Sequence, residues 1–191
     1  MKTTYPSIVY QIALTYLPKV GPVKGKELAS LYPCLSDIFK LASYQSNAAD
    51  ALREAERTVK ICEEDQIQII YFEDPAYPQR IKELYDAPLI LFKKGPADLN
   101  AHRIVAVVGT RHASDVGKKV TEELVQSSIK DEVILVSGFA RGIDIALHKA
   151  CLAYQVPTIA VLAGGFRHIY PHENAMYINQ ILENGALLSE P

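Results

Sequence analysis

The chain has 191 residues, 49% of them apolar and 22% charged, a balance that excludes collagenous, low-complexity and disordered chains. No run of about 18 apolar residues occurs, which argues against a transmembrane helix. The formal net charge of −2 gives no global basic field, so a nucleic-acid binder of this composition must concentrate its positive residues locally.

The first stretch, residues 1–62, reads as short helices joined by Pro and Gly turns. SIVYQIALTYL places Ile8, Ile12 and Leu14 at helical spacing and closes at Pro18. VKGKELASLY predicts a second helix, and LSDIFKLAS a third with Ser36 as its N-cap. NAADALREAERTVKICEED is a fourth, rich in strong helix formers. This suggests a small all-α unit. Its first 40 residues carry Lys2, Lys19, Lys24, Lys26 and Lys40 against Glu27 and Asp37. In LPKVGPVKGKEL, Gly21 and Gly25 would open the backbone between two helices and turn N–H groups toward a phosphate, with Lys19, Lys24 and Lys26 supplying charge. A purely structural hairpin fits the same residues.

From residue 63 to 191 the pattern becomes α/β. QIQIIYF reads as a strand, DPAYPQRIKELYDAP as a turn and short helix, and LILFKKG as a strand. RIVAVVGT has the length and apolarity of a strand buried on both faces. DVGKKVTEELVQSS follows as an amphipathic helix with Val116, Val120 and Leu124 on its core stripe. EVILVSG is a buried strand, and IDIALHKACLAY a helix with Ile143, Leu147, Cys151 and Tyr154 along one side. PTIAVLAGG is a strand, HENAMYINQILENG a helix, and ALLSEP opens one more strand. Strands alternating with such helices predict a Rossmann-like parallel sheet with helices on both faces, preceded by the helical unit. The final strand signal lies at the end of the chain, where an α/β domain seldom stops, so a domain cut short is expected.

Cys34, Cys62 and Cys151 are odd in number and widely spaced, without a CxxC pair. They fit a reducing cytosol. The N-terminus lacks the apolar segment of a signal peptide, so a cytoplasmic protein is expected.

Ligands of such sheets bind beyond the carboxyl ends of the strands. Three consecutive strands here end in small or glycine-rich turns, Val108–Arg111, Val136–Gly142 and Leu162–Gly165. Glycine permits close backbone approach, and the following helices offer free N–H groups to an anion. The predicted crevice comprises Gly109, Thr110, Arg111, Ser114, Ser137, Gly138, Phe139, Ala140, Arg141, Gly142, Gly164, Gly165, Arg167, Tyr170, His172 and Asn174. Phe139, Phe166 and Tyr170 are candidates to stack on bases, although aromatics here are more often core. No G-x-G-x-x-G or G-x-x-x-x-G-K-[ST] occurs, so neither a dinucleotide fingerprint nor a P-loop is supported. Asp144 and His148 stand one helical turn apart and would form either an acid/base pair or a structural hydrogen bond. His168 and His172 lack a third ligand, so no metal or cofactor is expected.

The segments GTRHAS, SGFARGIDIALHKACL, TIAVLAGGFRHIYPHEN and GALLSE resemble the DNA-processing protein A family, also called Smf, as does the lead-in FEDPAYPQRIKELYDAPLILFKKG. The resemblance covers roughly residues 5–191, and the helical N-terminus is similar to the SAM-like domain often found there. It implies a Rossmann-like domain that binds single-stranded DNA, protects incoming DNA during natural transformation and helps load the RecA recombinase, without enzymatic turnover. Arg111 matches the arginine of the family's G-S-R motif, with Thr110 in place of serine. His172 falls where the family often has a basic residue. The family's later F-P-x-R-N-R segment and winged-helix region lie beyond this chain. They are thought to carry much of the dimer interface and RecA contact, so a homodimer is expected of the full-length protein.

Two rival functions belong to other classes. A nucleotide hydrolase of a related Rossmann-like family would need a carboxylate-bearing P-G-G-x-G-T-x-x-E loop, which is not found. A pure interaction module would dock a protein partner through the helical unit.

Overall fold

A computed structural model describes residues 6–191; Lys2 and the rest of the first five residues, used above for charge and for the signal-peptide argument, lie outside them. Compactness divides the chain into two units, Met1–Phe92 with Pro191, and Lys93–Glu190.

In the first unit, helices α1 (Ser7–Tyr16), α2 (Pro22–Leu31) and α3 (Gln45–Glu64) precede strand β1 (Gln68–Tyr71), the single turn α4 (Gln79–Lys82) and strand β2 (Ile90–Lys94), which runs across the boundary. Helix α1 packs on α3. Val9, Ile12, Ala13 and Leu14 are buried on α1, and Ala51, Ala55 and Cys62 on α3. Each large aliphatic side chain so buried contributes about 1.5–3 kcal/mol. The expected third helix is instead a 3-10 segment, Leu35–Lys40, without a side-chain cap. The Ser36 hydroxyl lies 3.1 Å from the Cys34 thiol instead of capping a helix.

Of the two glycines, Gly21 caps α2 with open space around it, whereas Gly25 opens no gap. Gly25 lies inside α2, where a Cβ would sit 2.1 Å from Leu89 Cδ1, so this glycine admits the leucine side chain. Lys26 is also committed, donating to the Tyr85 carbonyl at 2.7 Å and lying over the Phe72 ring. Lys19 and Lys24 remain exposed.

The second unit carries β3 (Ile104–Ala106), α5 (Asp115–Ser128), β4 (Ile134–Ser137), α6 (Ile143–Ala153), β5 (Thr158–Val161), a 3-10 segment at His172–Tyr177, α7 (Ile178–Asn184) and β6 (Ala186–Ser189). These four strands stand in the order β6-β5-β4-β3 and pair in parallel. Helices α5 and α6 pack on each other, as do α6 and α7, and α6 covers β4 and β5. One core joins Val125, Leu135, Leu147 and Cys151; another joins Phe139, Ala160, Leu162, Ile181 and Leu187. The structure is thus a mixed α/β fold whose sheet is flanked by helices, as the alternation of elements predicts.

Two burial expectations are corrected. Strand β3 has three residues and stands at the end of the strand order, with Val105 and Ala106 exposed. On α5, Val116 and Val120 are 73% and 56% exposed, whereas Thr121 and Val125 are buried. Helix α5 packs through the neighbouring face, and its valine stripe and the outer side of β3 meet no cover among the described residues.

No helix among the described residues is long and apolar enough to cross a membrane.

Candidate functional site

Because β3, β4 and β5 are parallel, their carboxyl ends and following turns share one edge of the sheet. The first two turns interlock. Val107 N–H donates to Val136 O at 2.9 Å, and the buried Ser137 hydroxyl donates to Val107 O at 2.7 Å. Ile143 N–H donates to Thr110 O at 3.2 Å. Gly142, at φ +82, presses on Thr110 and Arg111, where a Cβ would lie 2.0 Å from Thr110 O. Gly109 lies against the Ile143 side chain, where a Cβ would come within 2.6 Å of Ile143 Cγ1. Gly142 thus admits the backbone of the first turn and Gly109 admits the Ile143 side chain, and the result presents Thr110 and Arg111 beside residues 138–142.

Three internal supports hold the second turn. Phe139 adopts the left-handed conformation, φ +59, with its ring fully buried and edge-on to His148 at 5.5 Å. Asp144 is buried and accepts from Ala140 N–H at 3.4 Å. Asn174, also buried, donates through Nδ2 to Phe139 O at 2.9 Å and Ala140 O at 3.5 Å. Beside it, Glu173 accepts from Arg141 Nε at 2.7 Å. This bond holds the Glu173 carboxyl below its ordinary range and raises the Arg141 guanidinium.

The predicted residues therefore divide. Gly109, Thr110, Arg111, Gly138 and Arg141 are exposed on these turns, with His172 exposed beside Glu173. Ser137, Phe139 and Asn174 support it from below. The Phe139 ring, fully buried, has no access to a base. Ser114 is exposed but caps α5, accepting from Gly117 N–H at 3.2 Å. Thr110 Oγ1 accepts from His112 N–H at 3.1 Å, bracing its own turn.

Gly164, Gly165 and Arg167 form the next turn along. A Cβ on Gly164 would meet His168 O at 2.7 Å, and Gly165, at φ +73, faces Ser189. Phe166 joins this turn to the core around Phe139. Tyr170 is 71% exposed and offers an open aromatic face.

Asp144 and His148 do not pair. The imidazole Nδ1 lies 2.9 Å from Thr158 Oγ1, and burial pushes its pKa down to about 4. Among the described residues no cluster of His, Cys, Asp and Glu could hold a metal ion. A groove of about 670 Å³ between α6 and α7 is lined by Lys149, Gln155, Tyr177, Gln180, Glu183 and Asn184. It lies at the opposite edge of the sheet, where crossover helices end, and Lys149 there rests over the Tyr177 ring. The glycine-lined crevice, with its arginines, is the better candidate.

Sequence spacing missed Glu173. It stands 32 positions from Arg141, and only the folding of the Tyr170–Asn174 segment onto the second turn brings them together.

These features define a Rossmann-like α/β protein with a glycine-lined, arginine-bearing edge at the carboxyl ends of its strands. Residues 68–191 match the model of the family described as DNA recombination-mediator protein A, and the chain belongs to that family. It is 34% identical over 173 residues to the DNA processing protein DprA of Bacillus subtilis, covering 90% of this chain and 58% of that protein. To DprA of Streptococcus pneumoniae it is 42% identical over 117 residues, covering 61% and 41%. The X-ray structure of the Streptococcus pneumoniae protein superposes with a TM-score of 0.65 and 28% identity, covering all of this chain and 69% of that one. A structure of the Helicobacter pylori protein, described by its single-stranded DNA binding mode, superposes at 0.55 with 30% identity over 66% and 56%. The chain spans roughly half the length of these curated relatives.

Proposed function

We propose that this chain binds single-stranded DNA through the backbone, in a DNA-processing protein of natural transformation. The observation that carries this reading is the interlocked pair of turns, Gly109–Arg111 and Ala140–Gly142, with two arginines on their rim. Phosphates would lie along Arg111 and Arg141, with Arg167 and His172 extending the positive track. Exposed Tyr170 supplies a stacking surface that accepts any base. Contacts to phosphate and sugar carry no sequence information, as the protection of incoming DNA requires. The description of the Helicobacter pylori relative supports the choice of single strands.

The protein works by binding, without catalytic turnover. Asp144 is held by Ala140 N–H and His148 is buried against Thr158, so neither is placed to move a substrate proton. Handing DNA to the RecA recombinase, homodimer formation by the full-length protein and a cytoplasmic site of action complete the proposal. The reading keeps a helical, SAM-like unit at 1–62 and a DNA-binding domain at 63–191, near the start of the family match at residue 68, whereas compactness alone divides the chain between Phe92 and Lys93. Titration with fluorescent oligo-dT at several salt concentrations tests the reading. Binding that weakens steeply with salt is expected. Failure to bind at low salt, or release of free base from nucleotides, would overturn it.

A further inference from the structure

The ion pair between Arg141 and Glu173 engages the guanidinium through Nε. An arginine carries five N–H donors in one plane. With Nε–H given to Glu173, the four on the two terminal nitrogens remain for a ligand. The backbones that carry the pair are also tied to each other. Asn174, next to Glu173, holds the carbonyls of Phe139 and Ala140, next to Arg141. The two backbones thus keep a fixed separation while both charged side chains stay at the surface.

We propose that Glu173 is a positioning residue, which aims the two terminal nitrogens of Arg141 at a phosphate of a strand lying in the crevice. This rests on the single-stranded DNA reading above. An unheld arginine on an exposed turn samples many rotamers and loses that freedom when it binds; Glu173 removes most of the freedom beforehand. The carboxylate also repels phosphate. A phosphate on the same guanidinium would stand within the Debye length of about 8 Å from the carboxylate, so salt weakens that repulsion without removing it. The proposal requires the rotamer freedom saved to exceed the repulsion, and the affinity of Glu173→Ala reads that balance directly.

Glu173→Ala, Glu173→Gln and Arg141→Ala, together with the Glu173→Ala/Arg141→Ala double variant, separate the alternatives by oligo-dT titration across salt. Glu173→Ala should weaken binding about 3- to 10-fold and lower the salt slope by about 0.7, the value of one single-strand phosphate contact. Glu173→Gln, whose amide oxygen still accepts from Nε, should restore most of the affinity. In the Arg141→Ala background, Glu173→Ala should have little further effect. If Glu173→Ala binds as tightly as the wild type or tighter, Glu173 is a brake and the proposal falls. It falls equally if Glu173→Ala weakens binding just as much without Arg141. Absence of wild-type binding would overturn the DNA reading itself, an outcome distinguishable from both.

Discussion

Gly142 lies so close to Thr110 that a side-chain carbon on the glycine would sit 2.0 Å from the threonine carbonyl oxygen. The left-handed backbone of Gly142 adds a second demand for glycine. Gly142→Ala should therefore destabilise the chain by at least about 2 kcal/mol and push the two turns apart. Chemical denaturation measures the first effect and oligo-dT titration the second. Near-native values of both would show that the two turns do not depend on each other.

Arg111 is exposed at the rim, so truncating it should leave stability within about 0.5 kcal/mol of the wild type. Binding of single-stranded DNA by Arg111→Ala should fall about 5- to 10-fold, with a shallower salt dependence. A gel shift at two ionic strengths is sufficient. Unchanged affinity would remove Arg111 from the site.

Asn174 fastens the second turn from below. Asn174→Asp keeps the shape but loses the donor, placing carboxylate oxygen against the carbonyls of Phe139 and Ala140. A loss of about 1–3 kcal/mol is expected by thermal melting, together with weaker DNA binding.

His148 sets an acid limit. Its pKa falls from 6.5 to about 4 on folding, mainly through burial. Between these values the unfolded chain binds the extra proton, so stability drops as the pH falls. The contribution is whole above about pH 6.5 and is lost by about pH 4, a change of roughly 3 kcal/mol. Urea unfolding across this window should show the slope, and His148→Met should flatten it.

Much of the fold was open to inspection in the sequence. The apolar runs of β4, β5 and β6 and the glycine turns after β3, β4 and β5 stand where their patterns put them. These are local signals: period, length and turn chemistry. The expectations that failed depended on neighbours. The valines of α5 have a core helix's spacing, but spacing cannot say which element lies opposite. Lys26 has a phosphate binder's charge, yet its ammonium is occupied by carbonyls some 59 positions away. Arg141 and Glu173 meet through a fold-back that no spacing rule encodes. Glycine likewise signals a tight place without naming what fills it; at position 25 the occupant is Leu89.

The exposed valines of α5 and β3 have their own consequence. Val105 on β3 and Val116 and Val120 on α5 are exposed apolar side chains, and such surface should favour association of this chain with itself as concentration rises. Val116→Lys combined with Val120→Glu should suppress that association in sedimentation velocity while leaving the melting temperature nearly unchanged. Persistent association would place the sticking surface elsewhere.

The fully buried Phe139 ring has a wider implication. Its backbone carbonyl holds Asn174, while its ring leans on His148. The floor of the crevice and the roof of the core are therefore the same residue. A proton added to the buried His148 acts directly beneath the second turn. If the turn grips an anion as proposed, that grip and the integrity of the apolar interior are coupled, and acid should erode them together.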